Sequence, residues 1–184
     1  ALRTRNLRPT RPFAVLFAEH SPQLHTALAI TPAEMTLLQS PQRPIVLVAQ
    51  QPASMLAPSI APGLAHIGVM LPYSPLHALL AEDFGNPLVA TSGNLAGEPI
   101  AIDPAEAEAR LGRIADGFLH HDRPIVRPVE DSVWQVYADH GPVPLRLGRG
   151  SAPLEFTLPH SLPEPVLALG GEQKVTIALG WGNR

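Results

Sequence analysis

The sequence contains no cysteine among its 184 residues. The chain therefore cannot form disulfides, thiolate zinc sites or a cysteine nucleophile, which excludes the class of disulfide-stabilised secreted domains. No apolar run approaches the roughly 18 residues that span a membrane. The start of the chain, residues 1–5, has no apolar stretch of the signal-peptide type behind it. These absences predict a cytoplasmic protein with no membrane partner.

Aromatic and charged residues are scarce as well, at 5% and 16% of the chain. Few aromatic side chains argue against a base-stacking platform for single-stranded nucleic acid. The net charge of −3 at pH 7 does not indicate a general polyanion binder, although it is compatible with a local basic patch. Hydrophobic residues make up 45%, which is enough to fill a core and excludes a wholly disordered chain.

Proline is abundant, with 22 residues, and 14 glycines accompany it. Long uninterrupted helices are therefore not expected. Instead, short apolar runs alternate with short capped helices and show no internal repeat, which predicts an α/β protein with a mixed sheet. The predicted strands are 13–17, 45–49, 67–71, 87–91, 118–121, 132–137 and 143–147, followed by two more within 165–179.

Helix starts are marked by a capping residue followed by proline. Thr31-Pro32-Ala33-Glu34 has the order of a capping box, and Asp103-Pro104-Ala105-Glu106 repeats it. Ser74-Pro75 opens a further short helix, and residues 21–38 are predicted to form a helix in two pieces.

The tetrapeptide Thr91-Ser92-Gly93-Asn94 ends an apolar strand with two hydroxyls, a glycine and an amide. Hydroxyl and backbone donors at such a position suit anionic oxygens, so the segment is a candidate phosphate or oxyanion cradle. An equally weighted alternative is a loop that turns into a helix with Ser92 as its cap.

A second group of polar residues lies later in the chain. Arg123 and Arg127 precede an acidic pair and Ser132, and Arg146 and Arg149 flank Gly148. Arginine forks bind phosphate oxygens, but a surface loop with Arg–acid pairs is the alternative at each position. The eight histidines have no metal-site spacing; adjacent residues such as His120 and His121 point to opposite faces of a strand and cannot chelate together.

Several long collinear stretches resemble the YrdC-like domain of the HypF family, the carbamoyltransferases of NiFe-hydrogenase maturation. They are Ile60–Leu64, Gly68–His77, Leu88–Pro99, Ala115–Ile125 and Glu130–Val133. Residues 169–174 also resemble the opening of the family's next module, which is sugar-kinase-like. The resemblance implies a YrdC-like domain over 1–152, a proline-rich linker over 153–165 and the start of a carbamoyl-transfer domain over 166–184.

The resemblance implies a YrdC-like (RibB-like) fold, a twisted mixed sheet flanked by short helices around a concave basic surface. It implies that the domain forms carbamoyl adenylate from ATP and carbamoyl phosphate or carbamate, with Mg²⁺ entering as the ATP complex and no metal held by the protein. The full-length family protein then passes the carbamoyl group to the C-terminal cysteine of HypE, on the way to the cyanide ligand of the hydrogenase iron.

Matching positions imply a nucleotide- and acyl-phosphate-binding set made of Arg8, Thr91, Ser92, Asn94, Ser132 and Arg146. Ser92 and Asn94 would hold the acyl-phosphate region, while Arg8, Ser132 and Arg146 would hold phosphates. The resemblance assigns no catalytic residue. One departure matters, because Asn6 stands where the family has a lysine, and asparagine cannot replace that charge.

The family's first strand and helix have no counterpart in the sequence. We therefore expect an open sheet edge that favours a homodimer, and little or no activity from this chain alone. Two alternatives remain open. One is a non-catalytic module that binds double-stranded RNA through the arginine cluster Arg3, Arg5, Arg8 and Arg11, and the other is an inactive remnant.

Overall fold

The computed structural model describes residues 2–6, 10–148, 150–151, 153–170 and 177–184. The chain divides into two compact units, Ala1–Gly150 and Ser151–Arg184. Within the described residues, no helix has the length and apolar character needed to cross a membrane.

A six-stranded sheet forms the first unit. Its strands are β1 (Ala14–Leu16), β2 (Ile45–Ala49), β3 (His66–Met70), β4 (Leu88–Ala90), β5 (Val133–Tyr137) and β6 (Gly141–Arg146). Their spatial order is β4-β1-β3-β2-β5-β6. The pairs β1–β3 and β2–β5 are parallel, and the other three pairs are antiparallel. The predicted α/β class with a mixed sheet is confirmed.

Short helices connect these strands. They are α1 (Leu2–Arg5), α2 (Pro22–Ala27), α3 (Pro32–Leu38), α4 (Pro75–Phe84) and α5 (Pro104–Leu111), with a 3₁₀ turn at Pro58–Ile60. Proline begins all but α1, because its missing N–H falls where a helix has no acceptor for it.

The predicted caps are present. Thr31 and Glu34 form a reciprocal capping box, and the side chains of Ser74 and Asp103 accept the N–H of His77 and Glu106.

The main core lies on one face of the sheet. Alternate strand residues such as Val15, Val46, Val48 and Val69 are fully buried there, against α2 and α3. Full burial of each such side chain contributes roughly 1.5–3 kcal/mol relative to exposure. The other face has a smaller cluster of Leu16, Met70 and Ala81, the last from α4.

One predicted strand is wrong. Residues 118–121 form no strand, and Leu119 leaves 64% of its surface exposed. Instead, His120 reaches back to the carboxylate of Glu108 on α5, with 2.7 Å between Nε2 and Oε1, and stacks on Phe118. The apolar run therefore contacts a neighbouring helix locally and does not join the sheet.

The second unit contains an antiparallel hairpin of β7 (Val166–Leu169) and β8 (Ile177–Gly180). The predicted turn between them falls at residues 171–176, outside the described part of the chain. Backbone N–H groups of Leu158 and Leu162 donate to the carbonyls of Asn183 and Gly182, both over 2.7 Å. The proline-rich segment thus hydrogen-bonds with the residues that follow the hairpin.

Candidate functional site

The loop after β4 is organised around a buried amide. Asn94 is 6% exposed, and its Nδ2 donates to the carbonyls of Leu95 (3.0 Å) and Glu98 (2.8 Å). Two carbonyl partners identify that atom as the nitrogen, so Oδ1 faces Ser92 and accepts its hydroxyl proton over 2.5 Å. All the amide's donors are therefore used within the loop.

These hydrogen bonds divide the polar groups of the predicted cradle into those that maintain the loop conformation and those that remain available to a ligand. Asn94 holds the loop, and Ser92 has its single proton committed to Asn94 while its oxygen keeps lone pairs. The Thr91 hydroxyl and the Gly93 N–H make no hydrogen bond within the residues that the structure describes. These two groups are the donors open to an anionic ligand. The alternative that Ser92 caps a helix is wrong, since the next helix begins at Pro104.

Contacts from α5 fix the same loop. Arg110 donates from Nε and Nη2 to Oε2 of Glu98 at 3.1 and 2.5 Å, and from Nη2 to the carbonyl of Pro99 at 3.0 Å. It also pairs with Glu106 on its own helix. The hydrogen bond to Glu98, followed by that to Glu106, raises the pKa of Arg110 further above its ordinary value. Arg110 is not predicted from the sequence, because the sequence shows only its four-residue spacing from Glu106 and not its contact with Glu98.

The second predicted group ties β5 to β6. Ser132 is fully buried, and its Oγ accepts the N–H of Gly148 over 2.9 Å. Arg146 donates from Nε to the carbonyl of Asp131 at 3.0 Å, and its Nη1 lies 3.1 Å from the carboxylate of Glu130. A side chain at position 148 would lie 2.3 Å from the carbonyl of Glu130, so only glycine allows this approach.

In the part of the chain that the structure describes, Arg123 and Arg127 do not form the ion pairs that the surface-loop alternative predicts. Glu130 pairs with Arg146. Within the described residues, the side chains of Arg123 and Arg127 make no hydrogen bond or ion pair. The expected Arg–acid pairs of a surface loop therefore do not involve these two residues.

Strand directions separate the two predicted groups. Ala90 at the end of β4 pairs with Ala14 at the start of β1. Val133 at the start of β5 pairs with Ile45 at the start of β2, which runs antiparallel to β3 and hence to β1. The 91–99 loop and Ser132 thus lie at opposite ends of the strands.

The N-terminal arginines are partly committed to the fold. Arg3 donates to the carbonyls of Ser59 and Arg11 and lies over the ring of Phe13, and Arg5 pairs with Asp116. Arg8 lies outside the described residues, as does Arg149.

Asn6, which the sequence predicts to stand at a lysine position of the family, is 4% exposed. Its Oδ1 has no hydrogen-bond partner in the described part of the chain.

A cleft of about 400 Å³ opens at the C-terminal ends of β1 and β3, the end of the sheet that also holds Ser132. Its lining includes the ion pair Arg43–Glu19, with 3.2 Å between Nη2 and Oε1, and the helix start at Ser74. None of the predicted site residues that the structure describes lines this cleft. Across the described residues, no three His, Asp or Glu side chains are grouped to hold a metal ion.

Comparison with known proteins gives one family match. The Sua5/YciO/YrdC family model, described as "Telomere recombination", matches residues 1–148.

The carbamoyltransferase HypF of Synechocystis is 48% identical over 183 residues, which is 100% of this chain and 24% of the relative. The chain thus spans about a quarter of the length of the curated relatives it matches. The predicted resemblance to the YrdC-like domain of HypF is confirmed.

Solved structures agree. Full-length HypF in the phosphate- and nucleotide-bound form is 40% identical, with a TM-score of 0.85, and the match covers 99% of this chain and 28% of that one. Sua5 of P. abyssi complexed with L-threonine has a TM-score of 0.64 at 22% identity, covering 80% of this chain and 43% of that one. The second likeness shows the fold alone.

Proposed function

Because the chain belongs to the Sua5/YciO/YrdC family, we propose that it is the adenylate-forming part of a HypF-type carbamoyltransferase in hydrogenase maturation. It binds ATP with its Mg²⁺ and carbamate, which hydrolysis of carbamoyl phosphate by water supplies together with inorganic phosphate, and as part of the longer protein it forms carbamoyl adenylate. The observation that carries this proposal is the 40% identity, over 99% of the chain, to a HypF structure that holds phosphate and nucleotide.

The proposed step is an in-line displacement at phosphorus. A carbamate oxygen attacks the α-phosphorus of ATP, the bond from that phosphorus to the bridging oxygen breaks, and pyrophosphate leaves with the electron pair. Carbamoyl adenylate and pyrophosphate are the products. Such a step needs positioning and charge stabilisation more than a protein base.

The residues divide these tasks in the proposal. The Thr91 hydroxyl and the Gly93 N–H donate to the acyl-phosphate region, and Ser92 joins them when its hydroxyl rotates away from Asn94. Asn94 keeps the loop in shape. Arg8 is proposed to hold phosphates. The sequence predicts the same task for Ser132 and Arg146, but they lie at the opposite end of the strands from the 91–99 loop and are bonded to Gly148, Asp131 and Glu130, so they are left out of this proposed site. Mg²⁺ arrives with ATP as part of the substrate.

Calorimetry of the whole chain with Mg-ATP tests the proposal. We expect saturable heat with ATP and none with CTP as the control nucleotide, because the adenine base is part of the proposed substrate. Absence of saturable binding at millimolar ATP would contradict the function proposed for this chain.

Transfer of the carbamoyl group belongs to the longer protein in this proposal. Residues 1–152 form the adenylating domain, 153–165 a linker and 166–184 the start of the carbamoyl-transfer domain that serves HypE. The cytoplasm is the proposed compartment, since ATP and carbamoyl phosphate are available there.

A homodimer is a further hypothesis, with β4 as the pairing edge. Val89 at the centre of β4 is 44% exposed. At the other edge, Pro142 and Pro144 lie within β6 and offer no N–H for pairing. Sedimentation velocity of the parent chain and of Val89→Lys tests this hypothesis. A dimer that survives the lysine, or a monomeric parent, would contradict it.

The structure gives less support to double-stranded RNA binding than the arginine cluster in the sequence does. Arg3 and Arg5 are engaged in contacts within the chain, so Arg11 is the one described residue of the cluster that remains for phosphates. A gel shift with duplex RNA at low salt discriminates the two functions, because phosphate-driven binding weakens steeply as salt rises. An inactive remnant would bind neither RNA nor ATP.

A further inference from the structure

We propose that Arg110 is a positioning residue for the Ser92-Gly93-Asn94 loop, acting on it through Glu98. The inference rests on the proposed function, since it concerns how the chain presents that loop to the nucleotide and acyl phosphate. Arg110 lies on α5, outside the motif, and within the described residues it forms no hydrogen bond with Ser92 or Asn94.

The first link runs from the helix to the loop. The guanidinium of Arg110 contacts the Glu98 carboxylate through two nitrogens and the Pro99 carbonyl through one of them. Its side chain is only 21% exposed, so the fork is held in a partly desolvated position. A planar fork fixes the orientation of its partner better than a single ammonium does.

The second link runs from Glu98 to the hydroxyl. The backbone carbonyl of Glu98 accepts from Asn94 Nδ2 over 2.8 Å, and Asn94 Oδ1 accepts from Ser92 over 2.5 Å. The loop also closes through the N–H of Ala101, which donates to the carbonyl of Gly93 over 2.9 Å. Moving Glu98 therefore moves the group that orients Ser92.

The same helix supplies matched controls. Glu106 also contacts Arg110, but it lies four residues before Arg110 on α5 and makes no contact with the loop among the hydrogen bonds above. Arg113 is exposed, and its side chain has no hydrogen-bond partner within the described residues. Glu106→Gln removes helix support for Arg110, and Arg113→Gln removes a nearby charge, while both leave the link to Glu98 intact.

Calorimetry with Mg-ATP on the whole chain is the first measurement. Arg110→Gln and Glu98→Ala should each weaken binding about tenfold, the scale of one charge-assisted hydrogen bond. The double variant should be no weaker than either single variant, because both act through one contact. Glu106→Gln and Arg113→Gln should bind as the parent does, and Arg110→Lys should recover part of the affinity.

Hydrogen exchange by NMR is the second measurement and needs no ligand. In Arg110→Gln the side-chain amide of Asn94 and the N–H of Ala101 should exchange faster, while the amides of β2 and β3 keep their rates. Unchanged exchange at both loop positions, or equal loss of ATP affinity in Glu106→Gln and Arg110→Gln, would overturn the proposal. If the parent fails to bind ATP, the proposed function fails, and the exchange rates still decide whether Arg110 orders the loop.

Discussion

Ser92 donates its only proton to Asn94, so a phosphate oxygen must compete with Asn94 for that proton. We expect Ser92→Ala to weaken nucleotide binding by roughly 10- to 100-fold, the equivalent of one charge-assisted hydrogen bond. Stability should fall by about 1 kcal/mol, because the buried Oδ1 of Asn94 loses its donor, and the loss should be smaller than at Ser132 since Ser92 is only partly buried. Calorimetry and urea unfolding measure the two effects, with Ser59→Ala on the 3₁₀ turn as the control. Equal affinity in a folded Ser92→Ala variant would reduce the segment to a simple turn.

Ser132→Ala should lower stability more than Ser92→Ala does. Its hydroxyl is fully buried and accepts the Gly148 N–H, so Ser132→Ala leaves that donor unsatisfied. We expect a loss of about 1–3 kcal/mol in the free energy of unfolding, measured by urea denaturation. The comparison with Ser92→Ala is the control, because both variants delete one hydroxyl. A variant as stable as the parent would show that the Gly148 N–H finds another acceptor.

The hydrogen bonds of individual side chains are what the sequence does not predict. The Ser92-Gly93-Asn94 motif can be recognised in the sequence. The hydrogen bonds from Asn94 to the carbonyls of Leu95 and Glu98 cannot, because they depend on how the loop folds. The contact of Arg110 with Glu98 joins α5 to the loop that precedes it. No periodic pattern in the sequence predicts this ion pair. The residue types therefore predicted which segment forms the candidate cradle. The folded geometry determines which of its hydrogen-bond donors are available to a ligand.

At the scale of elements, sequence patterns predicted those helix starts and strands that depend only on residues close together in the chain. The capping box at Thr31 and the strand over 45–49 are as predicted, because both depend on neighbouring residues in the chain. The strand predicted at 118–121 failed because a strand also needs a partner with open hydrogen-bonding groups. Residues 118–121 pair with no strand among the described residues, and His120 contacts Glu108 instead.

The capping box gives an element-scale prediction. Thr31→Ala removes the side chain that accepts the Glu34 N–H, and we expect it to destabilise the protein by about 1 kcal/mol. Thr36→Ala on the same helix is the control, since that hydroxyl is exposed and only bonds back to the carbonyl of Pro32. Chemical denaturation of both variants measures the difference. Equal stability of the two variants would mean that α3 is held by its packing alone.

At the scale of the whole molecule, the two units differ in how their strands are buried. Val48 and Val69 of the first unit are fully buried, whereas Leu167 and Leu179 of the second are 61% and 58% exposed. A two-stranded hairpin without a covered face is marginally stable in water. We expect amides of β7 and β8 to exchange by local opening, much faster than those of β2 and β3. Exchange at one common rate in both units would contradict this prediction.

The overall class was predictable because alternating short strands and capped helices leave few other arrangements. The strand order was not, since β1 pairs with β3 and β4, and β2 pairs with β5, across long stretches of intervening chain. The separation of the 91–99 loop from Ser132 follows from that order. It could be read only once the strand directions were known.

The pairing of β2 with β5 has a consequence for the protein as it leaves the ribosome. Val46 and Val48 lie on a strand whose second neighbour, Val133–Tyr137, is translated only after everything from Gln50 to Ser132. Until then one side of β2 offers unpaired backbone groups beside apolar side chains, which is the arrangement that recruits other nascent chains. Shielding residues 45–49 until Val133–Tyr137 has been translated is therefore expected to raise the yield of folded protein.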